Sequence, residues 1–262
     1  MLNIGLRLHD GEKLPLSELL PLVRQKGFKC AHLALSKSIS EYSVANDALT
    51  PGYAMHLKEL FSQNNIDVAI LGCYLNLSSE TVDIERYLAH IRIASIMKVG
   101  MVGSETPGDG GYDTLIKNLK TVLSYAEKLG VMFAVEPVAK DVMSTPKLTR
   151  KVLDEINSPN LGVIFDPVNL LSIDNFHERE NIHKEAIELL GNDIMAVHIK
   201  DFVKVDNKLE SVAAGDGEMD YRKILSYLKK SKPFIHATLE NTNPDNAVKA
   251  KEYIERQLAE AN

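Results

Sequence analysis

Four polar side chains stand where apolar runs of this chain end: Glu136 in FAVEP, Asp166 in GVIFDP, His198 in IMAVH and Glu240 in HATLE. Each has an ordinary explanation alone. A glutamate can cap a following helix, an aspartate can bind nearby backbone amides, and a lone buried histidine is more often a hydrogen-bonded core residue than a ligand. Together they are harder to explain that way, because three carboxylates crowded at one place repel one another and lose hydration unless a cation offsets them. Three oxygen donors with one neutral imidazole suit a divalent ion. Mn2+ is the preferred choice, with Mg2+, Co2+ or Zn2+ also accommodated, and the lack of cysteine in the set disfavours a thiolate-selective site. Such an ion on a substrate oxygen stabilises the negative charge of an enediolate, while a placed carboxylate removes or returns the adjacent C–H proton. Glu136 and Glu240 are expected to be both ligands and catalytic groups, serving opposite faces of a hydroxy-carbonyl substrate. A two-carboxylate glycoside hydrolase is the rival chemistry; it leaves the histidine and the third carboxylate with less to do.

These four residues share an address. Eight Val/Ile/Leu-rich runs are expected as strands: Leu2 to Leu6, Cys30 to Leu35, Val68 to Gly72, Val99 to Val102, Val131 to Val135, Leu161 to Phe165, Ile194 to Ile199 and Phe234 to Leu239. Segments with apolar residues every three or four positions alternate with them. Helices are expected over Leu16 to Gln25, Gly52 to Asn64, Val82 to Met97, Tyr112 to Leu129, Pro146 to Ile156, Glu178 to Leu190, Tyr221 to Lys229 and Asn246 to Leu258. Strands joined through helices lie mostly parallel and are buried on both faces. Closing eight units into one (β/α)8 TIM barrel removes the exposed edges, and the C-terminal strand ends then converge on one mouth. The expected architecture is therefore α/β, one domain over residues 1–262. A doubly wound open sheet is the structural alternative.

Bulk properties agree with a folded protein acting on a small molecule. The 262 residues are 45% hydrophobic and 25% charged, with a formal charge of −6. That balance argues against a polyanion partner, so no nucleic acid is expected. No apolar run reaches the roughly 18 residues of a membrane span, and MLNIGLRLHDGEKLP lacks a signal-peptide core, so no membrane association and a cytoplasmic setting are expected. Cys30 and Cys73 fit reduced, buried thiols. A homo-oligomer is compatible with a barrel of this size, but no stripe identifies a contact surface.

Further polar residues flank the mouth. His9, in IGLRLHD, can reach substrate hydroxyls. Glu105, in the loop VGSETPGDGG with Ser104, Thr106 and Asp109, can orient substrate; the loop matches neither GxGxxG nor a phosphate-cradling loop. Lys200 falls on the same strand face as His198 and can hold an anionic or hydroxylated group, with Asp201 ordering a loop or forming a surface turn. Gly215 and Gly217 in AAGDGEMDY are read mainly as part of a helix approach, while His32, inside its strand, is read as structural.

EP after the fifth run, DPVN after the sixth, HIKD after the seventh and LEN after the eighth resemble the xylose-isomerase-like sugar isomerase/epimerase superfamily, nearest in pattern to ketose 3-epimerases. The resemblance implies a metal-dependent isomerase or epimerase, with Glu136 and Glu240 binding the ion and exchanging a substrate proton and with Asp166 and His198 as ligands. Two positions depart from the ketose-epimerase pattern. Asn169 stands where a histidine is common, and Lys204 where an arginine is common; Asn169 can still bind a hydroxyl and Lys204 an oxyanion. Endonuclease IV shares the ancestry, but the second and third runs lack its extra ligands. A noncatalytic sugar- or metabolite-binding barrel is the alternative outside enzymes.

Overall fold

The computed structural model describes residues 2–11, 13–105, 110–243 and 246–261. In chain order the elements are β1 (Asn3–Arg7), α1 (Leu16–Gln25), β2 (Cys30–Ala34), α2 (Leu35–Ser38), α3 (Pro51–Gln63), β3 (Asp67–Gly72), α4 (Ile84–Met97), β4 (Met101–Glu105), α5 (Tyr112–Leu129), β5 (Met132–Glu136), α6 (Pro146–Ile156), β6 (Leu161–Phe165), α7 (Arg179–Leu190), β7 (Ile194–Ile199), β8 (Asp201–Val205), β9 (Lys208–Val212), α8 (Arg222–Ser231), β10 (His236–Leu239) and α9 (Ala247–Glu260). Eight of the strands are parallel and close in the order β1-β10-β7-β6-β5-β4-β3-β2. The protein is a (β/α)8 barrel.

Local chemistry sets several boundaries. Thr145 accepts the Leu148 amide and Pro146 opens α6, whose end is Asn157 in the left-handed region at φ 48°. Gly130 stops α5 at φ 64°, a conformation that costs glycine nothing. Strands β2 and β6 are buried along their whole length, as expected where the interior covers one face and helices the other. The apolar side of α5 (Leu115, Leu119, Val122, Leu123, Ala126) packs onto the sheet and joins a core that extends through Phe133, Val135 and Val163.

The structure adds the short helix α2 and a hairpin to the eight units. The segment after β7 does not pass directly to α8 but forms the antiparallel hairpin β8–β9, from Asp201↔Val212 to Val205↔Lys208. Its turn residues Asp206 and Asn207 both have positive φ (45° and 58°), the dihedral pair of a tight hairpin turn that such side chains tolerate. No helix among the described residues is long and apolar enough to cross a membrane.

Candidate metal centre

Glu136 is the last residue of β5, Asp166 follows β6, His198 is the penultimate residue of β7 and Glu240 follows β10. All four are buried, and one donor atom from each lies within 4.8 Å of the other three. The separation in sequence thus collapses to one point at the C-terminal mouth.

Each carboxylate is oriented differently. Asp166 Oδ1 accepts the Val168 and Asn169 amides at 2.9 and 3.1 Å, a turn that the Pro167 step favours and that aims Oδ2 inward. Glu136 Oε1 accepts from Asn169 Nδ2 at 2.7 Å. Glu240 Oε1 accepts from Arg7 Nη1 at 2.5 Å and Oε2 from Lys200 Nζ at 2.9 Å. The His198 ring presents Nδ1 to both glutamates, 2.9 Å from Glu136 Oε1 and 3.0 Å from Glu240 Oε1.

The electrostatics point to a cation site. Burial by itself pulls the His198 pKa down, but Glu136 and Glu240 push it up more, to about 9. A proton on Nδ1 therefore bridges two carboxylates at the place a metal would take. Burial favours the neutral form of Glu240, yet His198, Lys200 and Arg7 outweigh it and hold this carboxyl well below the usual range. Burial pushes Asp166 up, with Lys200 opposing it. Lys200 Nζ lies 2.8 Å from Asp166 Oδ2. The donor set and the surplus of carboxylates fit one divalent ion. Arg7 and Lys200 offset part of the negative charge, and Arg7 shares its own with Asp10, whose Oδ1 is 2.7 Å from Nε.

The outer residues take different places around the quartet. Asn169 and Lys200 touch the quartet directly. His9 stands at the rim with its ring edge-on to His32 and Tyr74, and burial and Arg7 lower its pKa to about 3. Lys204 lies out on β8, 4.8 Å over the Phe176 ring and 3.4 Å from Glu218. Glu105 ends β4 in register with Glu136, but its side chain, like Thr106 and Asp109, lies outside the described residues. Asp201 is not a surface turn. It is fully buried and accepts the Phe202, Met219 and Gly215 amides, tying the 213–219 loop to β8. A side chain at Gly217 would collide with that carboxylate.

Three further residues reach the centre. Arg7 is the last residue of β1, and its signal is an arginine that closes a strand at the same end as the quartet. His32, read from sequence as structural, contacts His198 with Nδ1 3.2 Å from Nε2. Tyr74, just past β3, places its hydroxyl 3.0 Å from His32 Nε2. A cavity of about 680 Å³ opens at the other, N-terminal end of the barrel between Asp67, Met101, Met132, Met195 and His236. It shares no residue with the quartet, and strand-end chemistry belongs to the opposite face.

A family model described as "Xylose isomerase-like TIM barrel" matches residues 20–258. The chain belongs to this family. Solved structures with the same fold include a D-tagatose 3-epimerase-like protein (19% identity, TM-score 0.78, covering 100% of this chain and 98% of that one). The IolI protein with a bound zinc atom aligns at 15% identity and TM-score 0.75, over 100% and 99% of the two chains. A probable 3-DHS dehydratase, AsbF of Bacillus anthracis, aligns at 15% and 0.74, over 97% and 98%. Among curated proteins, the uncharacterized protein MJ1311 of Methanocaldococcus jannaschii is 28% identical over 149 residues, 56% of this chain. The match spans about half of that relative's length, 49%.

Proposed function

We propose that the protein is a divalent-metal-dependent isomerase or epimerase acting on a ketose or related hydroxy-carbonyl compound, with Mn2+ as the preferred ion. The observation that carries this reading is the buried quartet of Glu136, Asp166, His198 and Glu240, whose donor atoms converge within 4.8 Å at the barrel mouth. A bound ion supplies Lewis-acid stabilisation of negative charge on a substrate oxygen. Glu136 and Glu240 flank His198 on either side, so they can take a proton from one face of a carbon next to a carbonyl and return one to the other. Asn169, whose amide nitrogen already holds Glu136, keeps that carboxylate aimed at the centre and offers its amide oxygen to a hydroxyl. Lys200 and Arg7 keep Glu240 ionised. His9 at the rim, Lys204 farther out on β8, and Glu105 are assigned to substrate contact. The shared fold with the D-tagatose 3-epimerase-like protein and with a D-psicose 3-epimerase solved in the presence of D-fructose supports a sugar-sized substrate. Two free, buried thiols support a cytoplasmic setting.

The test is elemental analysis of the purified protein, followed by incubation with a panel of ketoses and phosphosugars in deuterated water. Metal-dependent deuterium uptake at a carbon next to the carbonyl is the expected result; protein that neither retains nor binds a divalent ion would sink the reading. A noncatalytic sugar- or metabolite-binding barrel is the second reading. It is favoured by the cations around Glu240, which make that carboxylate a weak base. Metal and sugar binding without exchange on any substrate would establish it.

A further inference from the structure

Behind the quartet, three rings from three strands or strand ends form a chain. His198 Nε2 faces His32 Nδ1 at 3.2 Å, and His32 Nε2 faces the Tyr74 hydroxyl at 3.0 Å. The rings are nearly parallel: His32 lies 5.2 Å from His198 and 5.7 Å from Tyr74 between centroids, each pair at 21°. His9 closes the edge at 5.9 Å from His32, and Lys37 Nζ sits 3.8 Å over the Tyr74 ring. Space is reserved for the chain, because a Cβ at Gly72 would collide with both His32 Nε2 and the Tyr74 ring. His32 and His198 are both fully buried, so neither ring can exchange a misplaced partner for water.

We propose that His32 is a positioning residue for ion binding: it accepts the Nε2–H of His198 and so holds that ring in the tautomer whose Nδ1 lone pair faces Glu136 and Glu240, with Tyr74 anchoring His32 in turn. This rests on the reading that the quartet holds a divalent ion.

The argument is one of proton placement. A neutral imidazole has one N–H and one lone pair. His198 turns Nδ1 to the carboxylates, so an ion taken there requires the ring proton on Nε2. That N–H points at His32 Nδ1, which must then be bare, because two N–H groups head to head would repel. The His32 proton lies on Nε2 and is donated to the Tyr74 oxygen. The opposite polarity would run from Tyr74 through His32 into a bare His198 Nε2, leaving the proton on Nδ1 where the ion must bind. Ion binding and the direction of the chain are thus one choice, as expected for a metal-bound histidine whose other nitrogen is fixed by a hydrogen bond.

Calorimetric titration of Mn2+ into the metal-stripped protein tests this with no substrate present. His32→Leu, which removes the acceptor, is expected to weaken binding about 10- to 100-fold. His32→Gln, which returns a carbonyl acceptor, is expected to recover most of that loss, and a purely structural role would not follow acceptor chemistry. Tyr74→Phe is expected to have a smaller effect in the same direction. Nitrogen-15 NMR of the wild-type protein loaded with diamagnetic Zn2+ should find His198 and His32 each protonated on Nε2. The inference is overturned if folded His32→Leu binds as wild type does, or if His32 carries its proton on Nδ1. The NMR result decides the matter should His32→Leu not fold. Wild-type protein that binds no ion would instead overturn the metal reading itself, and this inference with it.

Discussion

His198 in the barrel mouth and His90 in the helical layer are both essentially out of water, yet their protons are held in opposite ways. His90 sits on α4, its Nδ1 2.8 Å from the Arg86 carbonyl, and burial lowers its pKa to about 4 despite that contact. His198 is just as buried, and the same desolvation acts on it, but Glu136 and Glu240 raise it to about 9. The same side chain responds oppositely because one region offers a dipole and the other a concentration of ionised carboxylates. The mouth therefore selects positive charge strongly enough to reverse the cost of burial, which is what a metal centre requires and a merely polar core does not.

The largest expected effect tests whether that field serves chemistry. Glu136→Gln or Glu240→Gln should each reduce solvent deuterium exchange into a substrate by about 10²- to 10⁴-fold while the fold, read by circular dichroism, persists. Either change should also lower the His198 pKa followed by NMR in the metal-free protein; a His198 unmoved by both would break the comparison.

The two histidines should then give opposite pH profiles of stability. In the metal-free protein His198 binds its proton more tightly folded than unfolded. Its contribution is full below about 6.5 and is lost as pH rises to about 9, up to about 3 kcal/mol in all. Urea unfolding at intervals across this window, with His198→Gln as the reference, measures it, and saturating Mn2+ should abolish the slope. For His90 the unfolded chain binds the proton more tightly. Its neutral burial carries no penalty above about 6.5 and costs up to about 3 kcal/mol as pH falls to about 4. Relative to His90→Gln, the wild type should lose stability over that acid range, and parallel profiles would show that His90 is not held neutral.

The smallest expected effect concerns the cation already present at the mouth. Lys200 partly neutralises Asp166 and Glu240 at 2.8 and 2.9 Å. Lys200→Met should therefore tighten Mn2+ binding by about tenfold at low salt, a fraction of the full Coulomb interaction of such a pair. Calorimetry reads this directly. Weaker binding would mean that Lys200 supports the ion through the ligands it orients.

Much of the barrel is legible in the chain because its local rules agree with its global ones. The expected bounds of α1, α5, α6, β6 and β7 coincide with the observed elements, and the remaining barrel strands shift by no more than three residues at an end. Thr145-Pro146 and Gly130 are chemical punctuation that works without tertiary help. The hairpin β8–β9 was legible in retrospect, since VKVDNKLESV carries a two-residue turn between extended halves; the rhythm of strand and helix around it concealed the pattern. Arg7 ends β1 and so carried the same strand-end signal as the quartet, whereas His32 was hidden inside a strand buried along its whole length. When both faces of a strand are buried, alternation does not distinguish the side facing the barrel axis from the side facing the helices.

What the sequence by itself determined is the common address of Glu136, Asp166, His198 and Glu240, because a polar residue ending an apolar strand must emerge at the mouth of a parallel barrel. The tertiary structure alone decided which nitrogen of His198 meets the carboxylates, that Arg7 and Lys200 lean on Glu240, and that His32 and Tyr74 stand behind the ring. Those are matters of distance and direction between atoms far apart along the chain. Closure of the barrel sets them, and no spacing within a single strand encodes them.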